Sequence, residues 1–214
     1  MKALRHAAAL LALTLLLPFS AKAQEIEKDI DMDLIVSVGY QGSFLKGFTA
    51  YPGDRTVHSG VRAGVQAAIQ LLELEDDLEL GLRPGLFFSQ KGESYSDHSY
   101  HLNYLDIPVL VAAKYEMKDD LSLTAGVGPY FGNGLYGKND IGKATGKHDA
   151  FGSDGEMKRF DCGISADLGL EYDDYRLTIG GQYGFVDQLK DPAPAGITGT
   201  PKNASFFVML GYRF

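Results

Sequence analysis

Four residues in one stretch could do chemistry together: Asp97, His98, Ser99 and His101 are the only local cluster of a carboxylate, histidine and serine in the chain. A serine hydroxyl activated by a histidine can attack an ester, and a carboxylate with two histidines can bind a metal ion. However, His98 and Ser99 are adjacent, so they do not share one face of a strand, and the spacing is not that of a defined metal site. We therefore predict solvated loop residues here, and no catalytic, metal or cofactor-binding residues in the protein.

The single cysteine, Cys162, is the other reactive side chain, and it cannot form a disulfide within the chain. It alternates with Phe160, Ile164 and Ala166, and no histidine stands near it in the sequence. We expect Cys162 to be a small apolar residue on an outward strand face rather than a nucleophile. A formal net charge of -8 with scattered basic residues also argues against nucleic acid as a partner.

The amino terminus has the three parts of a secretory signal peptide. A basic region at Lys2 and Arg5 is followed by an apolar stretch too short to span a bilayer and by a small-x-small cleavage site, Ala-Lys-Ala. We predict a signal peptide over residues 1–23. Residues 24–214 then have a length that fits one domain.

Eight segments of the mature chain alternate apolar with polar or small residues, a period of two that is typical of strands. The clearest is the last, where Phe206, Val208, Leu210, Tyr212 and Phe214 alternate with residues that include Ser205, Gly211 and Arg213. The sequence stops on this strand, so the strand needs a partner on each side, and closure of a barrel provides both. The eight predicted strands cover residues 34–44, 59–72, 78–89, 104–115, 121–132, 160–172, 175–185 and 203–214.

Two of these segments are less regular than the others. Residues 59–72 also fit a helical stripe and contain Ala and Gln, which favour a helix, so the strand interpretation depends on the neighbouring segments. Residues 78–89 contain Pro84, which cannot donate a hydrogen bond to a neighbouring strand. We expect a β-bulge at this proline.

The connections between the predicted strands alternate in length. Short acidic turns follow strands two, four and six, whereas long loops cover residues 45–58, 90–103, 133–159 and 186–202. Outer-membrane barrels have short turns on the periplasmic side and long loops outside the cell. We therefore expect extracellular long loops, with residues 133–159 as a mobile loop that is adhesive or contacts lipopolysaccharide.

The two faces of the predicted strands differ in charge. One face has no charged residue, whereas the other has many glycines and a balanced set of ionisable residues: Arg62, Arg83, Lys114, Arg176 and Arg213 against Glu79, Asp106, Asp161, Asp167 and Glu171. An eight-stranded barrel is just wide enough inside for side chains, confined charges are tolerable when paired, and lipid excludes charge from the outer wall. We therefore predict an all-β, eight-stranded antiparallel up-and-down transmembrane β-barrel with a closed polar lumen.

Aromatic residues at both strand ends support this prediction. One set lies near the short turns and the other near the long loops: Tyr115, Tyr172, Tyr175, Tyr212 and Phe214, and Phe44, Phe88, Phe131, Phe160, Phe185 and Phe206. Two such girdles are typical of the two bilayer interfaces of a membrane barrel.

Two neighbouring segments resemble a known family. The sequence Phe-Phe-Ser-Gln-Lys-Gly at residues 87–92, followed by Tyr-Leu-Asp-Ile-Pro-Val-Leu at 104–110 and by Lys114-Tyr115, is similar to the central hairpin of the PorT-like outer-membrane β-barrel proteins of Bacteroidetes. The resemblance implies the eight-stranded architecture. Most members have no assigned activity, and the secretion-system role implied for the name-giving member does not transfer with an architecture. The last strand also resembles the C-terminal signal of bacterial outer-membrane barrels, which the assembly machinery reads.

The sequence thus predicts a non-enzymatic protein of a Gram-negative outer membrane with a structural or surface-interaction role. The expected partners are outer-membrane lipid and lipopolysaccharide, the barrel assembly machinery through the C-terminal strand, and a protein at the extracellular loops. Two alternatives stay open: an outer-membrane lipid-modifying enzyme of the lipid A deacylase or acyltransferase type, and a soluble periplasmic barrel that binds an apolar ligand.

Overall fold

The computed structural model describes residues 31–49, 55–75, 77–95, 99–117, 120–140, 147–153, 155–190 and 198–214. The predicted signal peptide over residues 1–23, Asp97 and His98 lie outside the described residues. The strands in chain order are β1 (Met32–Thr49), β2 (Arg55–Thr56), β3 (His58–Glu75), β4 (Leu78–Tyr95), β5 (Ser99–Glu116), β6 (Leu121–Asp140), β7 (Lys147–Asp149), β8 (Phe160–Tyr172), β9 (Tyr175–Gly184) and β10 (Thr198–Arg213).

Eight of these strands form a closed antiparallel barrel, as predicted. Each pairs with its neighbours in the order β1, β3, β4, β5, β6, β8, β9 and β10, and β10 returns to pair with β1. The short strands β2 and β7 extend β4 and β6 at the long-loop end. The ambiguous second segment is strand β3 and not a helix. The described residues contain no helix that is long and apolar enough to cross a membrane.

The prediction of a β-bulge at Pro84 is wrong. β3 pairs Gln66 with Gly85 and Ile69 with Leu82, so the register is the same on both sides of the proline. A proline removes one ladder hydrogen bond, and the regular pairs around it hold the two strands in place without an extra residue. The register of this strand pair shifts instead between Gln70 and Leu72.

The interpretation of residues 133–159 as a mobile loop is also wrong for most of that stretch. β6 continues to Asp140, and Ala150, Phe151 and Met157 are buried. They form an apolar cluster that we call the cap: Leu45, Tyr100, Leu102, Tyr104, Ala150, Phe151, Met157 and Leu189. The few apolar residues of this stretch lie among many Gly, Lys and Asp residues and show no periodicity. Their burial is therefore visible only in the folded structure.

The other predicted long loops are shorter than expected for a related reason. β4 continues to Tyr95 and β5 begins at Ser99, because the regular pairing extends beyond the apolar part of the strands. β1 likewise runs to Thr49 and β10 begins at Thr198. The barrel therefore projects as a paired sheet at its long-loop end.

The apolar residues face outward, and the charged ones face the lumen. Leu168 and Leu210 are more than half exposed, whereas the Arg62 and Arg176 side chains are only 2% exposed. Glycines in the wall make room for the lumenal arginines, since a Cβ on Gly126 would lie 2.0 Å from Arg83 Nη2. This arrangement confirms the transmembrane barrel and is opposite to that of a soluble barrel with an apolar interior.

The outer wall also shows the two aromatic girdles. At the short-turn end, Tyr115, Tyr172, Tyr175 and Phe214 are all at least half exposed. At the long-loop end, Phe131, Phe160, Phe185 and Phe206 are exposed, and Phe44 and Phe88 are half-buried. Cys162 is partly exposed on the outer wall beside Phe131, where the sequence placed it.

Candidate functional site

A three-residue ion cluster lies inside the barrel toward the long-loop end. Lys91 Nζ lies 3.0 Å from Asp106 Oδ1, and Arg62 Nη1 donates a hydrogen bond of 3.0 Å to Asp106 Oδ2. All three side chains are 2% exposed or less. The Lys91 ammonium also lies over the rings of Tyr104 and Tyr130, 5.0 and 4.8 Å from their centroids. Two cations thus bind one carboxylate in a site away from bulk water, where unpaired charges would be costly.

The middle of the lumen is filled by a cation between two aromatic rings. The Arg62 guanidinium lies 4.4 Å from the Phe87 ring centroid and 4.8 Å from the Phe207 centroid. Phe207 and Phe87 pack with Met209 as a buried apolar cluster. The cavity that these residues line has a volume of about 20 Å³, which is room for about one water molecule.

Asp161 is a second buried carboxylate, and it is held by neutral donors. Tyr130 Oη donates to Asp161 Oδ2 over 2.8 Å, Asn203 Nδ2 donates to the same oxygen over 2.9 Å, and Gln188 Nε2 donates to Oδ1 over 3.2 Å. No lysine or arginine of the described residues forms an ion pair with it. The expectation that Asp161 pairs with a lumenal cation is therefore wrong.

Gln188 connects this carboxylate to the cap. Its Oε1 accepts a hydrogen bond of 3.1 Å from Tyr104 Oη, and the adjacent Leu189 is part of the cap. Leu189 also forms an isolated β-bridge with Met157. These contacts hold residues 185–190, which follow β9, across the long-loop end of the barrel next to the ion cluster.

A second ion network lies toward the short-turn end. Arg83 donates to Asp167 over 2.5 Å, and Arg176 donates to Glu171 over 3.0 Å. Arg213 lies 3.5 Å from Glu171, and the partly exposed pair of Lys114 and Glu79 is 3.6 Å apart at the rim. All of these residues except Asp167 line a cavity of about 240 Å³. The ten predicted lumenal charges therefore all face inward, and nine of them form ion pairs.

Sequence alternation did not identify Lys91, Tyr130 and Gln188 as lumenal residues. Lys91 lies two positions beyond Ser89, so an extended strand would have placed it on the same inner face. Tyr130 also alternates with the inward glycines Gly128 and Gly132, although it was not assigned to the lumen. No periodic signal marks Gln188, because it follows the end of β9.

Of the four residues in the predicted cluster, the structure describes Ser99 and His101. These two form a contact, whereas the sequence interpretation considered the adjacent pair His98 and Ser99. Ser99 and His101, spaced two apart on β5, share one side, and Ser99 Oγ lies 3.0 Å from His101 Nε2. The His101 ring packs edge-on against His58 with centroids 4.7 Å apart. The i, i+2 spacing was the signal that could have identified this pair.

The surroundings of this pair contain histidine and lysine rather than carboxylate. His58 Nδ1 lies 3.1 Å from Ser94 Oγ, and Lys138 is directly opposite His101 on β6. His58 is buried and lies directly opposite Ser43 on β1. Within the described ranges, no carboxylate hydrogen-bonds to His101, and no group of three His, Cys, Asp or Glu side chains could hold a metal ion.

Comparisons with known proteins agree with this architecture. Residues 22–185 match the family model described as the outer membrane protein beta-barrel domain. No curated protein matches the chain significantly.

Several solved structures are similar to the chain. Ail of Yersinia pestis is 14% identical with a TM-score of 0.40, over 86% of this chain and 99% of that chain. OprG from Pseudomonas aeruginosa is 14% identical with a TM-score of 0.44, over 89% and 99%. The outer membrane enzyme PagL is 10% identical with a TM-score of 0.50, over 84% and 98%, a likeness that shows the fold alone. Since the family model covers well over half of the sequence, the chain belongs to the outer membrane protein beta-barrel domain family.

Proposed function

We propose that the protein is a non-enzymatic outer-membrane barrel with a lumen closed to solutes, and that it acts at the cell surface through its long-loop end in a structural or surface-interaction role. The observation that carries this proposal is the packing of the Arg62 guanidinium against the rings of Phe87 and Phe207 in the lumen. A pore for solutes needs a continuous aqueous path, and the cavity at these rings has room for about one water. The cap closes the long-loop end as a second barrier.

Single-channel recording of the purified protein in planar bilayers tests the closed lumen. We expect no large, stable conductance steps from the wild type. The double variant F87A/F207A removes both rings and should leak ions more than the wild type does. F185A removes an outward ring instead and should behave like the wild type. Large stable steps from the wild type would overturn the proposal.

The orientation is part of the same proposal, and impermeant thiol labelling of intact cells tests it. In a C162A background, a cysteine at the exposed Ser153 should be labelled, whereas one at the exposed Asp77 in the β3–β4 turn should not. The reverse labelling pattern would place the long-loop end in the periplasm.

Three kinds of partner follow from this location. The outer wall would contact lipid and lipopolysaccharide through its apolar band and girdles. The barrel assembly machinery would engage β10, the strand that closes the barrel against β1. A protein partner would bind at the projecting ends of β4, β5 and β6, where Leu135 and Tyr136 are exposed.

The narrower assignment to the PorT-like proteins of Bacteroidetes is also a proposal. It is supported by the way in which the two motif segments meet, because the lysine of the Lys-Gly pair, Lys91, binds the acidic residue of the second segment, Asp106. The glycine, Gly92, lies so close to the backbone of β5 that a Cβ would be 1.9 Å from Tyr100 O. Both motif positions thus have structural roles.

A lipid-modifying enzyme is the second candidate, and the contact between Ser99 Oγ and His101 Nε2 is the observation that favours it. Such a pair could activate a serine, although the described residues supply no carboxylate to orient His101. Mass spectrometry of lipid A from cells that express the wild type or S99A tests this candidate. The enzyme would be established if the wild type and S59A alter the acyl chains of lipid A and S99A does not. Identical lipid A in all strains would exclude it.

A further inference from the structure

Two lysines stand directly opposite each other on the outer wall, just beyond the long-loop girdle. Lys46 on β1 and Lys202 on β10 are Cα partners, and their neighbours Leu45 and Asn203 point inward and are buried. Lys46 follows the girdle residue Phe44 by two positions, or about 7 Å along a strand. Cβ atoms of directly opposed residues lie roughly 5 Å apart, and like charges in that position are destabilising. An anion bound between the two lysines would reduce their repulsion.

The protein itself supplies no such anion among the described residues, since no carboxylate there forms an ion pair with Lys46 or Lys202. Other cations at this end have structural partners. Lys91 binds Asp106, Lys158 Nζ donates to Asp187 O over 2.9 Å, and Arg159 Nη1 donates to Gly134 O over 2.6 Å. The two opposed lysines are thus distinguished by their position directly across from each other on the outer wall.

One lysine of the pair lies over an aromatic ring of a neighbouring strand. Lys46 reaches across β10, and its Nζ lies 5.3 Å from the ring centroid of Tyr183 on β9. The residue between these strands is Ala204, which pairs with both Phe44 and Tyr183 and whose small side chain leaves space for the lysine. A cation held over an aromatic ring loses less conformational entropy when it binds a ligand.

The backbone next to the pair is also specialised. The register of β1 and β10 shifts between Lys46 and Phe48, and the intervening Gly47 has a φ of 84°, a left-handed conformation that favours glycine. A Cβ on Gly47 would lie 2.9 Å from Thr200 O. The regular ladder is therefore interrupted next to the lysine pair, and pairing resumes at Phe48 and Gly199.

We propose that Lys46 and Lys202 form a binding site for the phosphate groups of a phosphorylated glycolipid headgroup in the outer leaflet. Aromatic girdles mark the interface of the bilayer, so charges immediately beyond a girdle lie at the depth of the lipid headgroups. Two ammonium groups carried by directly opposed residues match the double negative charge of a phosphate monoester. The site deepens the proposed function and rests on the extracellular position of the long-loop end.

Binding of lipid A to the purified full chain in detergent micelles tests the site. The wild type and K46Q/K202Q are titrated with bisphosphorylated lipid A and with the same lipid after removal of both phosphates. The combined effect of two lysines near an anionic surface should make the double variant bind the phosphorylated lipid roughly 30-fold more weakly. K138Q removes an exposed lysine from β6 and should bind like the wild type. Heat-modifiable gel mobility verifies that every variant is folded.

Two results would overturn the site: equal affinity of the wild type and K46Q/K202Q for the phosphorylated lipid, or an equal loss of affinity for the dephosphorylated lipid. Competition with millimolar inorganic phosphate separates the two sources of phosphate. We expect the lipid to stay bound; complete displacement would identify a site for free phosphate and contradict the lipid ligand. Micelle binding depends on neither orientation nor conductance, so this test can fail while the labelling and channel experiments still support the proposed function.

Discussion

Lys91 Nζ contacts Asp106 Oδ1 at 3.0 Å, and this ion pair joins β4 to β5 inside the barrel. The second oxygen of Asp106 accepts a hydrogen bond from Arg62, so one carboxylate compensates two cations. Asp161, in contrast, receives its hydrogen bonds from a phenol and two amides. Tyr130 joins the two sites, because the Lys91 ammonium lies 4.8 Å from its ring centroid and its Oη donates to Asp161 Oδ2. The lumen is best understood as one network in which charge balances over the cluster.

Removal of the carboxylate that holds two cations should be strongly destabilising. D106N leaves Lys91 and Arg62 buried without their counter-charge, and loss of one partner of a buried ion pair costs about 3 to 5 kcal/mol. We expect the free energy of unfolding to fall by about that amount. Urea unfolding of the refolded protein in detergent micelles measures it.

The matched control for this change is D33N at the short-turn rim. Asp33 lies 3.9 Å from Arg213 and both side chains are partly exposed, so its removal should cost less than about 1 kcal/mol. Similar losses for the two variants would show that Asp106 does not hold the cluster together.

Alternation in the sequence predicted the eight strands, the closing pair and the direction of the ten charges. Period two is a local property, so it identifies which face Arg62 or Asp167 occupies without knowledge of the partner strand. It could not show that Asp106 binds two cations, because that depends on the register between β3, β4 and β5.

The cap could not be predicted for a different reason. Phe151 and Met157 lie outside long strands and have no repeating pattern, so their burial results from contacts with β5 and with Leu189, which are distant in the sequence. The contact between Ser99 and His101 could have been predicted from the sequence, since i, i+2 residues share a strand face. That prediction also required β5 to begin at Ser99. Strand ends are set by neighbouring strands as much as by composition.

Truncation of Phe151 should loosen the cap and leave the barrel folded. The ring is 4% exposed and packs edge-on against Tyr104 with centroids 5.7 Å apart. F151A removes a buried aromatic, which costs about 3 to 5 kcal/mol where the site cannot collapse. We expect faster proteolysis near residues 150–157, with unchanged heat-modifiable mobility. S153A, at an exposed neighbouring position, should be cleaved like the wild type; equal cleavage of F151A would mean that the cap does not depend on this ring.

The outward row of β10 should matter more for assembly in cells than for the stability of the folded barrel. β10 closes the barrel against β1, so its outward residues Phe206 to Phe214 are available to an assembly factor before closure. The Phe214 ring is 60% exposed and packs on Tyr212 with centroids 4.9 Å apart. Its backbone N–H donates to Leu34 O over 2.9 Å, a bond that F214A preserves. F214A should therefore refold into detergent nearly as well as the wild type, with a loss of about 1 kcal/mol, while its yield in the outer membrane of cells falls sharply.

F160A removes a ring that is 53% exposed on β8 and should affect neither yield. Small and equal losses for F214A and F160A in cells would show that the row on β10 carries no assembly signal.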